Sequence, residues 1–223
     1  MRVASLISGG KDSLYSTYIA TQYGWDVTHA VTIKPKRLSW MYHTENVHLA
    51  NFIAESMGLP LVERHTDARK EHELDELESA LRSIDIDGVV SGAIASEYQR
   101  TRIEKVCHKL GIKSFTPLWH KKEDMLLREM AKARFRTVIV AVAAEGLGRE
   151  WLGREIDIDC IEELERLREK YGINISGEGG EYETLVLDCP VYGKKLSIED
   201  AEEEWDGGRG VLDIKSVRME SKQ

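Results

Sequence analysis

The hexapeptide Ser8-Gly9-Gly10-Lys11-Asp12-Ser13 gathers two hydroxyls, two glycines, an ammonium and a carboxylate. Adjacent glycines let backbone N–H groups come close to an anion, and a lysine beside them adds a mobile positive charge. Ser8 and Ser13 contribute hydroxyl donors for phosphate oxygens. Asp12 is the exception, because a bare carboxylate repels an oligophosphate. It either caps the following helix or meets the phosphates through Mg²⁺. The pattern is not a Walker A loop: Ser5 occupies the leading glycine position and Asp12 the Ser/Thr position. Nor is it a dinucleotide G-x-G-x-x-G. An ordinary strand-to-helix turn needs one glycine and no lysine, so the segment is read as a loop for an oligophosphate.

A second concentration of chemistry is Gly177-Glu178-Gly179-Gly180-Glu181-Tyr182-Glu183-Thr184. Carboxylates at 178, 181 and 183 suit holding ammonium and accepting its proton, a general-base role. Glycines at 177, 179 and 180 allow a tight fold against a substrate. Strand alternation puts Glu181 and Glu183 on one face and Tyr182 on the other, so only part of the cluster shares a site. The alternative is an exposed acidic turn. A third segment, Ser91-Gly92-Ala93-Ile94, ends a short apolar run before Glu97, Tyr98, Gln99 and Arg102. Arg102 is suited to a bidentate phosphate contact, or is simply a solvated helix arginine. Glu145-Gly146-Leu147 and Trp151-Leu152-Gly153-Arg154 either close over the nucleotide or join domains.

These residues need elements to position them. Arg2–Ile7 is predicted as a strand, the hexapeptide as the turn after it, and Asp12–Tyr23 as a helix stopped by Gly24. Strands follow at Asp26–Ile33 and Leu61–His65, with a helix Glu45–Met57 capped by Thr44 between them. Leu74, Leu77, Leu81 and Ile84 recur at helical spacing. Gly88–Ser91 reads as a buried strand, Glu97–Leu110 as a helix, and Lys113–Thr116 as a strand. A helix at Glu123–Phe135 and the strand Thr137–Ala143 continue the alternation. This is the grammar of an α/β, Rossmann-like parallel sheet with helices on both faces. Beyond about Glu145 the pattern shifts to a helix Ile158–Tyr171 and β-rich pieces Glu183–Leu187 and Val211–Met219. Two domains are therefore expected, a nucleotide-binding domain at 1–143 and a smaller α+β substrate-binding domain at 144–223. The acidic run Glu199–Asp206 reads as a solvated helix face.

Composition limits the function classes. Of 223 residues, 42% are hydrophobic and 31% charged, as expected of a globular chain with a full core. No apolar run reaches the roughly 18 residues needed to span a bilayer, and the start is too short in apolar residues for a signal peptide. A cytoplasmic protein without membrane partners is expected. The net charge of −8 argues against an extended nucleic-acid surface. Cys107, Cys160 and Cys189 are widely spaced, which supports neither a disulfide framework nor a zinc knuckle.

The hexapeptide after an N-terminal strand resembles the pyrophosphate loop of the N-type ATP pyrophosphatases, which split ATP into AMP and pyrophosphate to adenylate a substrate oxygen. The resemblance implies an adenine-nucleotide α-hydrolase-like sheet. Gly177–Thr184, continuing to Asp188-Cys189-Pro190, is similar to the G-E-G-G-E-[FY]-E-T-L…D-C-P signature of one branch, the diphthine-ammonia ligases. Ser91–Ile94 with Glu97, Tyr98, Gln99 and Arg102 is similar to that branch too. So is Ser39-Trp40-Met41-Tyr42-His43-Thr44, with Trp40 and His43 departing from the usual S-Y-M-Y-Q-T.

The resemblance implies ATP and Mg²⁺ as cofactors, with elongation factor 2 carrying diphthine, and ammonium, as partners. It places Lys11, Glu178, Glu181 and Glu183 in catalysis. It gives nucleotide binding to Ser8–Ser13, Ser91, Gly92, Ala93 and Arg102, and metal binding to Asp12. Substrate contacts fall to Tyr42, Tyr98, Gln99, Gly179, Gly180, Tyr182 and Thr184. A chain ending soon after Met219 resembles the compact archaeal form. The residues alone also admit a tRNA thiolation enzyme, a small-molecule or cofactor amidase, or a non-catalytic ATP sensor, and a homo-oligomer is compatible with all of these.

Overall fold

The computed structural model describes residues 1–35, 46–66 and 73–222. In chain order the elements are β1 (Arg2–Leu6), α1 (Lys11–Gln22), β2 (Asp26–Pro35), α2 (Ala50–Met57), β3 (Leu61–Thr66), α3 (Glu73–Arg82), β4 (Gly88–Val90), α4 (Glu97–Leu110), β5 (Lys113–Phe115), α5 (Glu123–Lys132), β6 (Arg136–Val142), α6 (Ile158–Tyr171), β7 (Tyr182–Asp188), β8 (Lys194–Trp205) and β9 (Gly210–Ser221). Short 3₁₀ turns precede α2 at Val47–Leu49 and α6 at Arg149–Trp151. The expected cap Thr44 and the substrate candidate Tyr42 lie outside the described residues.

The chain divides into Met1–Trp119 and His120–Gln223. The first unit is a five-stranded sheet of order β3-β2-β1-β4-β5, parallel at every described pairing. Alternation along the central strands gives each face its own core. Ala4, Val31 and Val89 pack with Leu77, Leu81, Ile103 and Val106 from α3 and α4. Val3 and Val90 point the other way, toward Ala20 of α1. Helices thus cover both faces, as parallel sheets require. Helix α4 runs between an N-cap, where Ser96 accepts from the Gln99 N–H at 3.3 Å, and Gly111.

The second unit is a four-stranded sheet of order β7-β6-β9-β8 with antiparallel pairings. Helices α5 and α6 pack together and are bridged by Arg128 and Glu165 at 3.0 Å. Leu126, Leu127, Ile139, Ile161 and Leu164 are buried in this unit. No helix among the described residues is long and apolar enough to cross a membrane.

Two expectations are corrected. The domain boundary falls at Trp119/His120 and not after residue 143, because β6 pairs antiparallel with β7 and β9. An apolar strand buried along its length does not reveal from sequence which sheet it joins. The acidic run Glu199–Asp206 is not a helix: residues 199–205 lie in β8, paired to β9. Its Glu and Ala residues favour helix intrinsically, but pairing with β9 along the whole strand overrides that preference. Lys215 Nζ meets Glu202 at 3.1 Å, and Arg218 meets Glu199 at 3.5 Å. Asp206 closes the hairpin by accepting from the Gly208 and Arg209 N–H groups at 3.1 and 2.7 Å, an Asx-type turn.

Leu77 is fully buried between α3 and the sheet. Leu77→Ala is expected to destabilise the protein by about 2–5 kcal/mol through the cavity left behind. A lowered urea midpoint at unchanged slope would show it.

Candidate functional site

In the first unit the strand order reverses beside β1: the chain runs outward through β2 and β3, then returns to place β4 on the other side. The crevice at the carboxyl ends of strands flanking such a switch point is where open α/β sheets bind ligands. The segments leaving β1 and β4 are Ile7–Gly10 and Ser91–Ser96. Both contain residues singled out by type.

The first segment is pinned from below. Ser5 and Thr17 hydroxyls lie 2.5 Å apart beneath it, and Thr17 donates to the Ser13 carbonyl at 2.8 Å. Thr32 of β2 donates to the Ile7 carbonyl. Gly9 adopts φ +89°, and Gly10 is the N-cap of α1 with no side-chain cap bond. Ser13 Oγ donates to the Gly10 carbonyl at 2.9 Å and accepts from the Ser8 N–H at 3.3 Å, while Ser8 Oγ accepts from the Gly10 N–H at 3.3 Å. The turn is therefore shaped by its own hydroxyls, at a helix start whose dipole favours an anion by about 0.3–1 kcal/mol.

Lys11 is 3% exposed, and its ammonium lies 2.8 Å from the Asp12 carboxylate. Of the two roles considered for Asp12, helix capping is set aside: the N-cap is Gly10, and the Asp12 carboxylate faces Lys11. The buried ammonium thus has a carboxylate beside it. Among the described residues no group of three His, Cys, Asp or Glu is placed to hold a metal. Mg²⁺ normally needs only one or two carboxylates when phosphates supply the remaining ligands, so Asp12 fits a metal that arrives with its nucleotide.

Gly92 brings the two segments together. A Cβ built there would sit 2.7 Å from the Asp12 carbonyl carbon and 2.7 Å from the Ser13 nitrogen, both backbone atoms. Only glycine permits this approach. Ser91 is buried with its hydroxyl 3.2 Å from that of Thr116, and Ala93 is buried beside it. On α4 the Arg102 guanidinium stacks 3.5 Å over the Tyr98 ring, and its Nε is buried with no hydrogen-bond partner among the described residues. Arg102 is thus half-buried and held against Tyr98. Gln99 contributes its backbone N–H to the Ser96 cap.

Glu178 to Thr184 belong to the second unit. Gly177, at φ +78°, opens a turn closed by the Gly180 N–H to the Gly177 carbonyl at 3.0 Å. A Cβ on Gly177 would meet the Tyr182 carbonyl at 2.8 Å. Tyr182 is buried and donates to the Ile175 carbonyl at 2.5 Å. Glu178, Glu181, Glu183 and Thr184 are half-buried, whereas Gly179 and Gly180 are exposed. Glu181 accepts from the N–H groups of Asn174 at 3.0 Å and Gly179 at 2.9 Å.

The comparisons with known proteins match this two-part layout. The family model of the diphthamide synthase N-terminal domain matches residues 1–114, and that of the C-terminal domain matches residues 122–219. The chain belongs to the diphthamide synthase family. Proteins named diphthine-ammonia ligase from Mus musculus and Homo sapiens are each 36% identical to it, over 91% of this chain and 84% of theirs. A Schizosaccharomyces pombe protein of the same name is 35% identical over 91% of this chain and 37% of its own length. The chain thus spans most of the Mus musculus and Homo sapiens relatives and about a third of the Schizosaccharomyces pombe one. A solved U34-tRNA thiolase from Methanococcus maripaludis is 16% identical, with a TM-score of 0.40 over 81% of this chain and 70% of that one.

Sequence motifs missed Glu123 and Asn174, whose side chains bond to each other at 2.8 Å in the acidic-loop network of this diphthamide synthase family member. They lie far apart in sequence and carry no local signal. The three cysteines are buried, and burial pushes their thiols up to about 11 for Cys107 and about 12 for Cys160 and Cys189.

Two outcomes follow. Gly92→Ala should weaken ATP binding at least about tenfold, since backbone must shift for the new methyl, as isothermal titration would measure. At pH 8 about a thousandth or less of each thiol is thiolate, so iodoacetamide should leave the native protein unlabelled and label it only after denaturation, as read by intact mass.

Proposed function

We propose that this chain is a diphthine-ammonia ligase that converts diphthine on elongation factor 2 to diphthamide, splitting ATP into AMP and pyrophosphate. What carries the reading is the pairing, in one family, of an anion-ready switch point at Ser8–Ser13 and Gly92 with a unit bearing three half-buried carboxylates.

The chemistry assigned to these residues balances in two steps. A substrate carboxylate oxygen attacks the α-phosphorus of ATP, and pyrophosphate leaves with the α–β bridging oxygen. Ammonia then attacks the acyl carbon, AMP leaves with the original carboxylate oxygen, and one proton is lost. In the first step Lys11 offsets charge growing on pyrophosphate, with Ser8, Ser13 and the Gly9–Gly10 backbone as donors. Ser91, Gly92 and Ala93 hold the nucleotide's other side, and Arg102, stiffened on Tyr98, offers its unpartnered N–H to phosphate oxygen. Asp12 would hold Mg²⁺, whose chemistry there would be to neutralise phosphate charge.

In the second step ammonium must lose a proton to become a nucleophile, which a carboxylate of the acidic loop accepts. Tyr42, Gln99, Gly179, Gly180, Tyr182 and Thr184 are assigned to the protein substrate. Free ammonium is taken as the nitrogen source and a cytoplasmic location as the setting, because the substrate is a translation factor. An assembly of several copies is compatible with the assignment. Buried, protonated cysteines give thiolation chemistry no support.

The test mixes enzyme, diphthine-bearing elongation factor 2, ATP, Mg²⁺ and ammonium. AMP, pyrophosphate and replacement of one carboxylate oxygen by nitrogen on the factor are expected. Lys11→Ala should cut AMP release by about a hundredfold or more. ADP as the product, or turnover that does not need the factor, would overturn the assignment.

A further inference from the structure

Glu181 sits in a closed set of hydrogen bonds. Its Oε1 accepts from the Asn174 N–H at 3.0 Å and its Oε2 from the Gly179 N–H at 2.9 Å. Asn174 Oδ1 in turn accepts from the Ser176 N–H at 2.8 Å and the Ser176 hydroxyl at 2.7 Å. Asn174 Nδ2 donates to Glu123 Oε1 at 2.8 Å. Glu123 is half-buried at the first position of α5, where the helix dipole favours a carboxylate. Asn174 is thus bonded at both ends of its amide, and its orientation is fixed by a residue on another element. That orientation sets Ser176 and, through the Asn174 backbone, the place where Glu181 anchors. The anchor determines the path of Gly177–Gly180. A Cβ on Gly179 would lie 2.6 Å from Glu181 Oε1, so carboxylate and loop backbone are fitted to each other.

We infer that Glu123 and Glu181 are positioning residues of the amide-forming reaction. Acting through Asn174, Glu123 locks the acidic loop in shape. Glu181 is the loop's internal anchor, and proton acceptance falls to Glu178 and Glu183. The inference rests on the ligase reading for its link to catalysis, but not for the lock itself.

The experiment compares wild type with Glu123→Ala, Glu123→Gln, Asn174→Asp and the double variant E123Q/N174D. Two quantities are read: AMP release with the diphthine-bearing factor and ammonium, and hydrogen exchange at the Gly179 amide. Glu123→Ala is expected to lower kcat about tenfold with the ATP KM unchanged, as a misplaced reacting group would. Glu123→Gln keeps the accepting Oε1 and should stay within about twofold of wild type. Asn174→Asp sets two carboxylates face to face and should be as damaging as the alanine. Adding Glu123→Gln restores a bond with donor and acceptor exchanged, so the double variant should recover both activity and protection.

Loss of activity in Glu123→Gln would make Glu123 a reacting carboxylate and overturn the inference. Wild-type kcat and Gly179 protection in Glu123→Ala, or no recovery in the double variant, would overturn it as well. If wild type itself releases no AMP, the ligase reading fails, and Gly179 exchange across the same variants still decides whether the lock exists.

Discussion

A hydrogen atom where other residues carry a Cβ, at Gly92, lets the ends of two strands meet at the switch point of the parallel sheet. With 2.7 Å between that position and the backbone of Asp12 and Ser13, the segment leaving β4 lies directly on the start of α1. Other local features act alongside this contact. The strand order puts β4 beside β1, and the Ser5–Thr17 and Thr32–Ile7 bonds hold the first loop at the right height. Ser96 starts α4 so that Tyr98 and Arg102 stack on its first turns. Each interaction is worth roughly a kilocalorie or so; their value is preorganisation, because donors already in place need no rearrangement as charge develops.

The second unit solves a different electrostatic problem. Carboxylates crowded into a short turn repel one another, and partial burial makes that repulsion stronger. The structure answers by committing Glu181 to backbone N–H groups and by placing Glu123 at a helix N-terminus. Along β8 a longer acidic run is handled by cross-strand pairing with Lys215 and Arg218, which lie at the surface and gain little stability from it. The same residue type thus serves as loop anchor in one place and as solvated strand face in another.

What the sequence made legible follows from how local the signal is. Helices α4 and α6 occupy the spans expected of them, and the structure shows Ser96 and Asp157 as their N-caps and Gly111 and Gly172 at their C-termini. The phosphate loop was readable because glycines, lysine and hydroxyls are contiguous. The strand β8 was not, since glutamates and alanine favour helix until β9 supplies partners. The boundary at Trp119 was hidden because Val138–Val142 reads alike in either sheet. The Tyr98–Arg102 stack was not read from the sequence, although the two residues lie four apart on one helix. The Glu123–Asn174 bond carries none, and only the fold reveals it.

The central claim is that ATP is used to place AMP, and not phosphate, on the substrate carboxylate. Diphthine labelled with ¹⁸O in that carboxylate, on otherwise unlabelled factor, tests this directly in a single turnover with ammonium. Label is expected in a phosphate oxygen of AMP and none in pyrophosphate. Label appearing in inorganic phosphate, with ADP as the nucleotide product, would contradict it.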